Sequence, residues 1–150
     1  MNTMKKCIVK EVPLADLTAV HKLIPEFGDN YITQHFAEKG VLEKNPHFAV
    51  AYIDNAPAGY MASYDRYADG SMYCWMAGTI PAYRQSGVLT ALMDDLEAWA
   101  QKHHYTSIRV KTHNMWRGML MSLVHMNFMF TEVVPADDIA MNGIYLKKDI

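Results

Sequence analysis

The chain is short of the features that mark several protein classes. It has two cysteines in 150 residues, Cys7 and Cys74. That is too few for a disulfide framework, and they form no paired metal-type spacing. Basic residues hold no excess: 14 Lys and Arg stand against 16 Asp and Glu, for a formal net charge of -2. A general nucleic-acid binder normally carries a basic surplus. No apolar run approaches the roughly 18 residues of a membrane helix. The opening MNTMKKCIVKEV has lysines but no apolar stretch of signal-peptide length behind them. Internal repeats, low-complexity tracts and linker-like segments are also missing. These absences predict a soluble, cytoplasmic protein forming one domain over residues 1–150, with no nucleic-acid partner, no membrane partner and no bound metal.

What is present agrees. An apolar content of 51% with 20% charged residues is far from the composition of disorder. A chain of this length can bury roughly two thirds of its unfolded surface without staples. The 12 methionines read as flexible core filler.

Periodicity supplies the elements. Residues 6–11 read as a strand, ended by Pro13. Leu14, Leu17, Val20 and Ile24 recur at helical spacing over 14–24, and Pro25 stops that helix. Gly28, Asp29 and Asn30 form a loop before a second short helix over 31–38, closed by Gly40. Residues 47–53 and 57–64 are strand formers joined by an Asp54-Asn55 turn, and Asp69-Gly70 marks another hairpin into a strand over 71–80. Pro81 breaks that strand. A helix over 87–103 turns Leu89, Leu92, Leu96 and Trp99 inward, with Asp94, Asp95 and Glu97 away. A strand over 108–112, a helix over 116–126 with Leu120, Leu123 and Val124 inward, and strands over 128–134 and 139–147 complete the chain. The order β-α-α-β-β-β-α-β-α-β-β predicts a mixed α/β fold. Hairpins followed by a strand–helix–strand crossover give a central mixed, mostly antiparallel sheet of about six or seven strands, with helices on both faces.

The stretch that carries chemistry is TIPAYRQSGVLT, from Thr79 to Thr90. It joins a strand to the long helix. Gly87 lets backbone approach a ligand closely. The amides from Gln85 to Thr90 would leave a helix N-terminus, which favours an anion and above all a phosphate. Arg84 adds a forked cationic donor. Neither GxGxxG nor GxxxxGK[ST] occurs, so dinucleotide-fold and P-loop readings fail.

The segment SMYCWMAGTIPAYRQSGVLTALMDDLEAWAQKHHYTSIRVKTHN resembles the acyl-CoA-binding core of the GNAT N-acetyltransferase superfamily. That family opens its long helix on Q/R-x-x-G-x-G/A after an x-P-x-Y-R junction. Here Arg84-Gln85-Ser86-Gly87-Val88-Leu89 stand in that place, flanked by Pro81, Tyr83, Leu92, Glu97, Ala98 and Ala100. The likeness runs over residues 47–134, and the element order matches throughout. It implies acetyl-CoA as acyl donor, with no metal. The strand before the motif should splay from its neighbour, so that Ala77, Gly78 and Thr79 meet the pantetheine arm. Arg84, Gln85, Ser86, Gly87, Val88, Leu89 and Thr90 should wrap the pyrophosphate. Asn114 stands near the place of a pantetheine-binding Asn.

The sequence departs from that pattern at three points. Leu89 replaces the second small residue of the motif. Asn127 replaces a Gly, and Asn also tolerates a left-handed backbone. Leu123 falls where relatives carry a tyrosine that protonates the leaving thiolate. Two other residues are then candidates for proton transfer. Tyr73 stands where some relatives place a catalytic Glu, and His113 ends the strand bordering the splay with a pKa suited to base work. A backbone amide near Ala77 or Gly78 could hold the oxyanion. His103 and His104 read as helix C-terminal residues, His125 as a surface residue and Cys74 as packed.

The resemblance also places the loop from Pro25 to Tyr31 over the acceptor. Its Glu26, Phe27, Asp29 and Tyr31, with Tyr64, Asp65 and Asp69 of a hairpin end, suit a cationic amine. The expected activity is direct acetyl transfer to a primary amine of a small molecule or peptide, in a chain that could pair as a homodimer. The alternatives are a non-catalytic GNAT-like module that binds acyl-CoA or regulates, favoured by Leu89 and Leu123, and an interaction protein that kept only the fold.

Overall fold

The computed structural model describes residues 6–27 and 31–150. One seven-stranded sheet in the order β1-β2-β3-β4-β5-β7-β6 organises them. Its strands are β1 (Cys7–Glu11), β2 (His47–Ile53), β3 (Ala56–Tyr64), β4 (Ser71–Thr79), β5 (Ser107–His113), β6 (Met129–Val134) and β7 (Gly143–Asp149). Only β4 and β5 run parallel. The crossover between them is α3 (Val88–Lys102). The remaining helices are α1 (Leu14–His21), α2 (Tyr31–Glu38) and α4 (Arg117–His125).

The turns form where local chemistry allows them. Asp54 and Asn55 both take positive φ, 50° and 64°, the two-residue hairpin geometry whose twist matches the flanking strands. Asn127 takes φ 70°, as its replacement of glycine requires.

Two apolar layers clamp the sheet. On one face, Val88, Leu92, Met93, Leu96 and Ala100 of α3 and Leu120 and Leu123 of α4 meet Met72, Cys74, Ile108, Ile144 and Leu146. On the other, Leu17 and Val20 of α1 and Phe36 of α2 meet Val50, Tyr60, Ala62 and Tyr64.

Four boundaries or orientations differ from the sequence expectation. The first helix ends at His21, and Leu23 and Ile24 follow as a turn. The last strand begins at Gly143, because Ile139–Met141 form a 3-10 turn whose Ala140 amide donates to the Asp138 carboxylate at 3.0 Å. Val124 is half exposed rather than inward: α4 is short, and only Leu120 and Leu123 of it are buried. Trp99 lies at the core's rim, stacked between His47 and His103 at 4.8 and 3.9 Å.

Among the described residues no helix is long and apolar enough to cross a membrane. No group of three His, Cys, Asp or Glu among them converges as a metal site.

Candidate active site

The site is a gap between parallel strands. β4 pairs with β5 only from Ser71 with Ser107 to Cys74 with Val110. Beyond Cys74 the two strands part, as expected. The cause is an extra residue in β4. Ser63 faces Cys74 and Ala62 faces Met76, so Trp75 is bulged out of the β3 ladder. A bulge bends its strand and re-aims side chains. Tyr73, Trp75 and Met76 all join the layer under α1 and α2, whereas Ala77 turns to the α3 layer.

Ala77, Gly78 and Thr79 therefore keep their β3 partners Met61, Tyr60 and Gly59 while their β5 side is open. Allowing for the bulged Trp75, Thr112 stands across the gap from Ala77 and His113 from Gly78.

The chain leaves β4 through a 3-10 turn at Pro81–Tyr83 and enters α3 at Gly87. Gln85 and Gly87 take φ 63° and 78°. A Cβ at Gly87 would meet nothing within 4 Å, so its side of the loop is open for a ligand. The amides of Gln85, Ser86, Gly87, Val88, Leu89 and Thr90 donate to no group among the described residues. Unpaired amides at a helix start form an anion cradle. Leu89 does not obstruct it, because its side chain packs against the α3 core. The residues present thus fit a pyrophosphate.

Arg84 lies at the mouth of this cradle and pairs with Glu26 at 2.8 Å. Glu26's own backbone amide, and then Arg84, hold its carboxyl below the usual range. The pair ties the turn after α1 to the loop before α3. Phe27, on the same turn, lies against β4. A Cβ on Gly78 would overlap the Phe27 ring and approach Ile24 Cδ1 to 2.7 Å. Glycine at 78 is what lets the aromatic ring cover the strand.

Beneath that ring, His21 is fully buried, stacks on Phe27 at 5.4 Å and shares a 2.7 Å hydrogen bond with the Tyr60 hydroxyl. Burial lowers the His21 pKa and raises that of Tyr60, so both stay neutral. Sequence reasoning had singled out Phe27 and Gly78 separately. Their contact, and the His21–Tyr60 pair, join residues far apart in the chain and leave no local signal.

The proton-transfer candidates are unequal. His113 Nδ1 lies 3.2 Å from the Met141 carbonyl. A carbonyl only accepts, so Nδ1 carries the hydrogen and Nε2 of the neutral ring keeps its lone pair. Tyr73 is buried, and burial raises its pKa; it stays protonated at neutral pH. Asn114 is engaged at both ends: its amide donates to the Ile139 carbonyl at 3.2 Å, and its oxygen accepts from Arg117 at 2.8 Å. Leu123 is fully buried in the core. The Cys74 thiol is buried and pushed up to about 12, which fits the packed reading.

The acids expected around a cationic amine are otherwise occupied. Glu26 holds Arg84, Asp69 holds Arg109 at 3.1 Å, and Asp65 accepts from Tyr105 at 3.0 Å. Asp29 lies outside the described residues, as does the side chain of Tyr31.

Comparison with known proteins agrees with this geometry. The model of the acetyltransferase (GNAT) family matches residues 16–116, and the chain belongs to that family. Three solved structures show the same fold. A GNAT-family protein of Desulfovibrio desulfuricans aligns with TM-score 0.77 and 15% identity, over 96% of this chain and 99% of that one. The ribosomal-protein-S18-alanine N-acetyltransferase of Escherichia coli aligns at 0.77 and 12%, over 97% and 94%. An acetyltransferase-family protein of Salmonella typhimurium, solved with its cofactor acetyl-CoA, aligns at 0.73 and 13%, over 95% and 93%. Among curated proteins none matches the sequence.

Proposed function

We propose that the protein is an acetyl-CoA-dependent N-acetyltransferase that moves the acetyl group directly to a primary amine of a small molecule or peptide. The observation that carries this reading is the gap beyond Cys74, which opens beside the unpaired amides before α3. Acetyl-CoA supplies an activated acyl carbon and a thiolate leaving group.

The chain's residues have assigned parts. Arg84, Gln85, Ser86, Gly87, Val88, Leu89 and Thr90 bind the pyrophosphate through backbone amides and one guanidinium. Ala77, Gly78 and Thr79 align the pantetheine arm along the open side of β4, and Asn114 borders it from β5. An amide at Ala77 or Gly78 stabilises the oxyanion, where a fixed donor is worth most. His113 Nε2 takes the proton of the attacking amine. Tyr73, always protonated, can only relay through water. The C–N bond forms as the C–S bond breaks, and the thiolate recovers a proton from solvent. Most of the acceleration comes from holding amine and thioester together.

Calorimetric titration with acetyl-CoA, against free CoA, tests the donor half. Saturation near one site per chain is expected, followed by turnover in a panel of amines. No binding at millimolar ligand would overturn the reading.

The cytoplasm is the compartment we propose, consistent with two unpaired cysteines. A homodimer is proposed through β6, an edge strand with all six residues exposed, Met129 and Phe130 to 70% and 57%. Unprotected apolar edges of this kind pair with other strands. Sedimentation should give a dimer for the wild type and a monomer for F130E; a monomeric wild type would refute it.

A further inference from the structure

We propose that the acceptor amine carries an anionic group, a carboxylate or phosphate, about 7 Å or more from its nitrogen, and that Lys39, Arg66 and Lys111 receive it. This rests on the acetyltransferase reading above and adds the class of acceptor.

The donor cradle opens on the α3 side of the sheet. An amine attacking the thioester therefore comes from the other face, where α1 and α2 lie. Alternation along β5 sends Ile108 and Val110 into the α3 layer and so Arg109, Lys111 and His113 to the acceptor face. β4 presents Tyr73 and Trp75 to the same side. Lys111 lies two residues before His113, and Trp75 two before Ala77. At the rise of a strand, this sets each about 7 Å from the reacting centre.

Three elements send cations to this wall. The Lys39 ammonium, after α2, sits 5.1 Å from the Trp75 ring centre. The Arg66 guanidinium, from the turn after β3, sits 5.1 Å from Tyr73 and 5.6 Å from Tyr67. Lys111 of β5 sits 5.4 Å from Tyr145. Lys39, Lys44, Arg66, Tyr64 and Glu38 line an open cleft of about 420 Å³ here.

None of these four cations forms an ion pair among the described residues. Glu38, the nearest carboxylate, is held by Gln34 at 2.8 Å and approaches His35 at 3.8 Å. Arg109, by contrast, is neutralised by Asp69. The like charges interact: burial first, then Arg66 and Lys111, lower the Lys39 pKa.

A protein of net charge -2 has thus gathered unpaired cations against an aromatic wall. That arrangement costs free energy until an anion fills it. It is also the reverse of a site for polyamines, which these cations would repel. Glu26 and Asp69, named for a cationic acceptor, are paired with Arg84 and Arg109, while the lysines and Arg66 have no carboxylate partner within ion-pair distance among the described residues.

The test compares three amines of one length: 6-aminohexanoate, hexylamine and 1,6-diaminohexane, with 5-aminopentyl phosphate as the second anion. Their binding to the CoA-loaded protein is measured calorimetrically, and acetylation is followed by thiol release. At least tenfold tighter binding and lower KM are expected for the amines with an anionic far end, in the order of far ends anionic, uncharged, cationic. The advantage should shrink as salt rises. R66Q and K39Q should each reduce it severalfold while the acetyl-CoA affinity holds, which also shows that they are folded. The lower KM of the two anions tells carboxylate from phosphate. Equal binding of the three amines, a preference for the diamine, or an advantage untouched by both variants would overturn the inference. Anion-selective binding without turnover would uphold it and sink the transferase reading instead; turnover without selectivity would do the opposite.

Discussion

The two halves of the sheet are built to different rules. β2 and β3 are buried on both faces, between α1 and α2 on one side and α3 on the other. β5, β6 and β7 receive a helix layer on one face only, and β6 is exposed along its whole length. The first half is a sandwich, and its two buried histidines each find one partner: His47 reaches Asp95 at 2.8 Å, and His21 reaches Tyr60. The second half shows one bare face, and there stand His113, Lys111 and Tyr145. Burial is concentrated where two layers close on the sheet, and the residues proposed for chemistry stand where one layer is missing. The gap between β4 and β5 is the border between the two.

Substitutions on either side should fail in opposite ways. The largest effects are expected from Leu96→Ala and His113→Ala. Leu96 is fully buried, so L96A should cost about 2–5 kcal/mol of stability, read by urea denaturation. A loss under about 1 kcal/mol would mean that α3 does not clamp the first half. H113A should leave stability within about 0.5 kcal/mol. It should slow turnover about a hundredfold at neutral pH and remove the lower limb of the pH–rate profile. An unchanged profile would eliminate His113 as the base.

Next comes G87V, at the border itself. Its Cβ has room, but φ 78° suits no branched residue. Acetyl-CoA should bind at least tenfold more weakly to a protein that still unfolds cooperatively; wild-type affinity would remove this loop from the donor site. The smallest effect is expected at Asp69, which lies outside both layers. Its hydrogen bond from Ser71, then Arg109 nearby, lower its pKa from 3.8. A lowered folded pKa means that the stabilisation is present above the unfolded value and lost as pH falls through the folded one. Melting curves of D69N and wild type should therefore differ slightly at neutral pH and converge below about pH 4.

Much of this was legible in the sequence. Regular alternation and helical spacing placed all eleven main elements in order, and the Arg84 to Leu89 motif marked the loop whose amides stay unpaired before α3. The errors have local causes. Ile139 and Met141 look like strand formers, but the Asp138 cap closes them into a turn. Val124 fits the apolar stripe of α4, yet no second layer exists on its side to cover it. The acceptor face is harder to read for a different reason. Acids in loops can be seen in a sequence, whereas the pairing of Glu26 with Arg84 and Asp69 with Arg109, and the Tyr105 hydrogen bond to Asp65, cannot. Lys39, Arg66 and Lys111 come from three separate elements, and only the folded sheet brings them to one wall.

The bulge at Trp75 works as a change of reading frame within a strand. Upstream of it, Met72 and Cys74 share the α3 layer; downstream, the odd-numbered Ala77 does. The same residues in unbroken alternation would present Gly78 to α3 and Ala77 to Phe27, whose ring a methyl group would displace. The bulge, not the number of residues in β4, thus decides which side of the sheet each residue of the open edge meets. Deletion of the bulged Trp75 would restore plain alternation and leave Ala77 and Gly78 on their present faces.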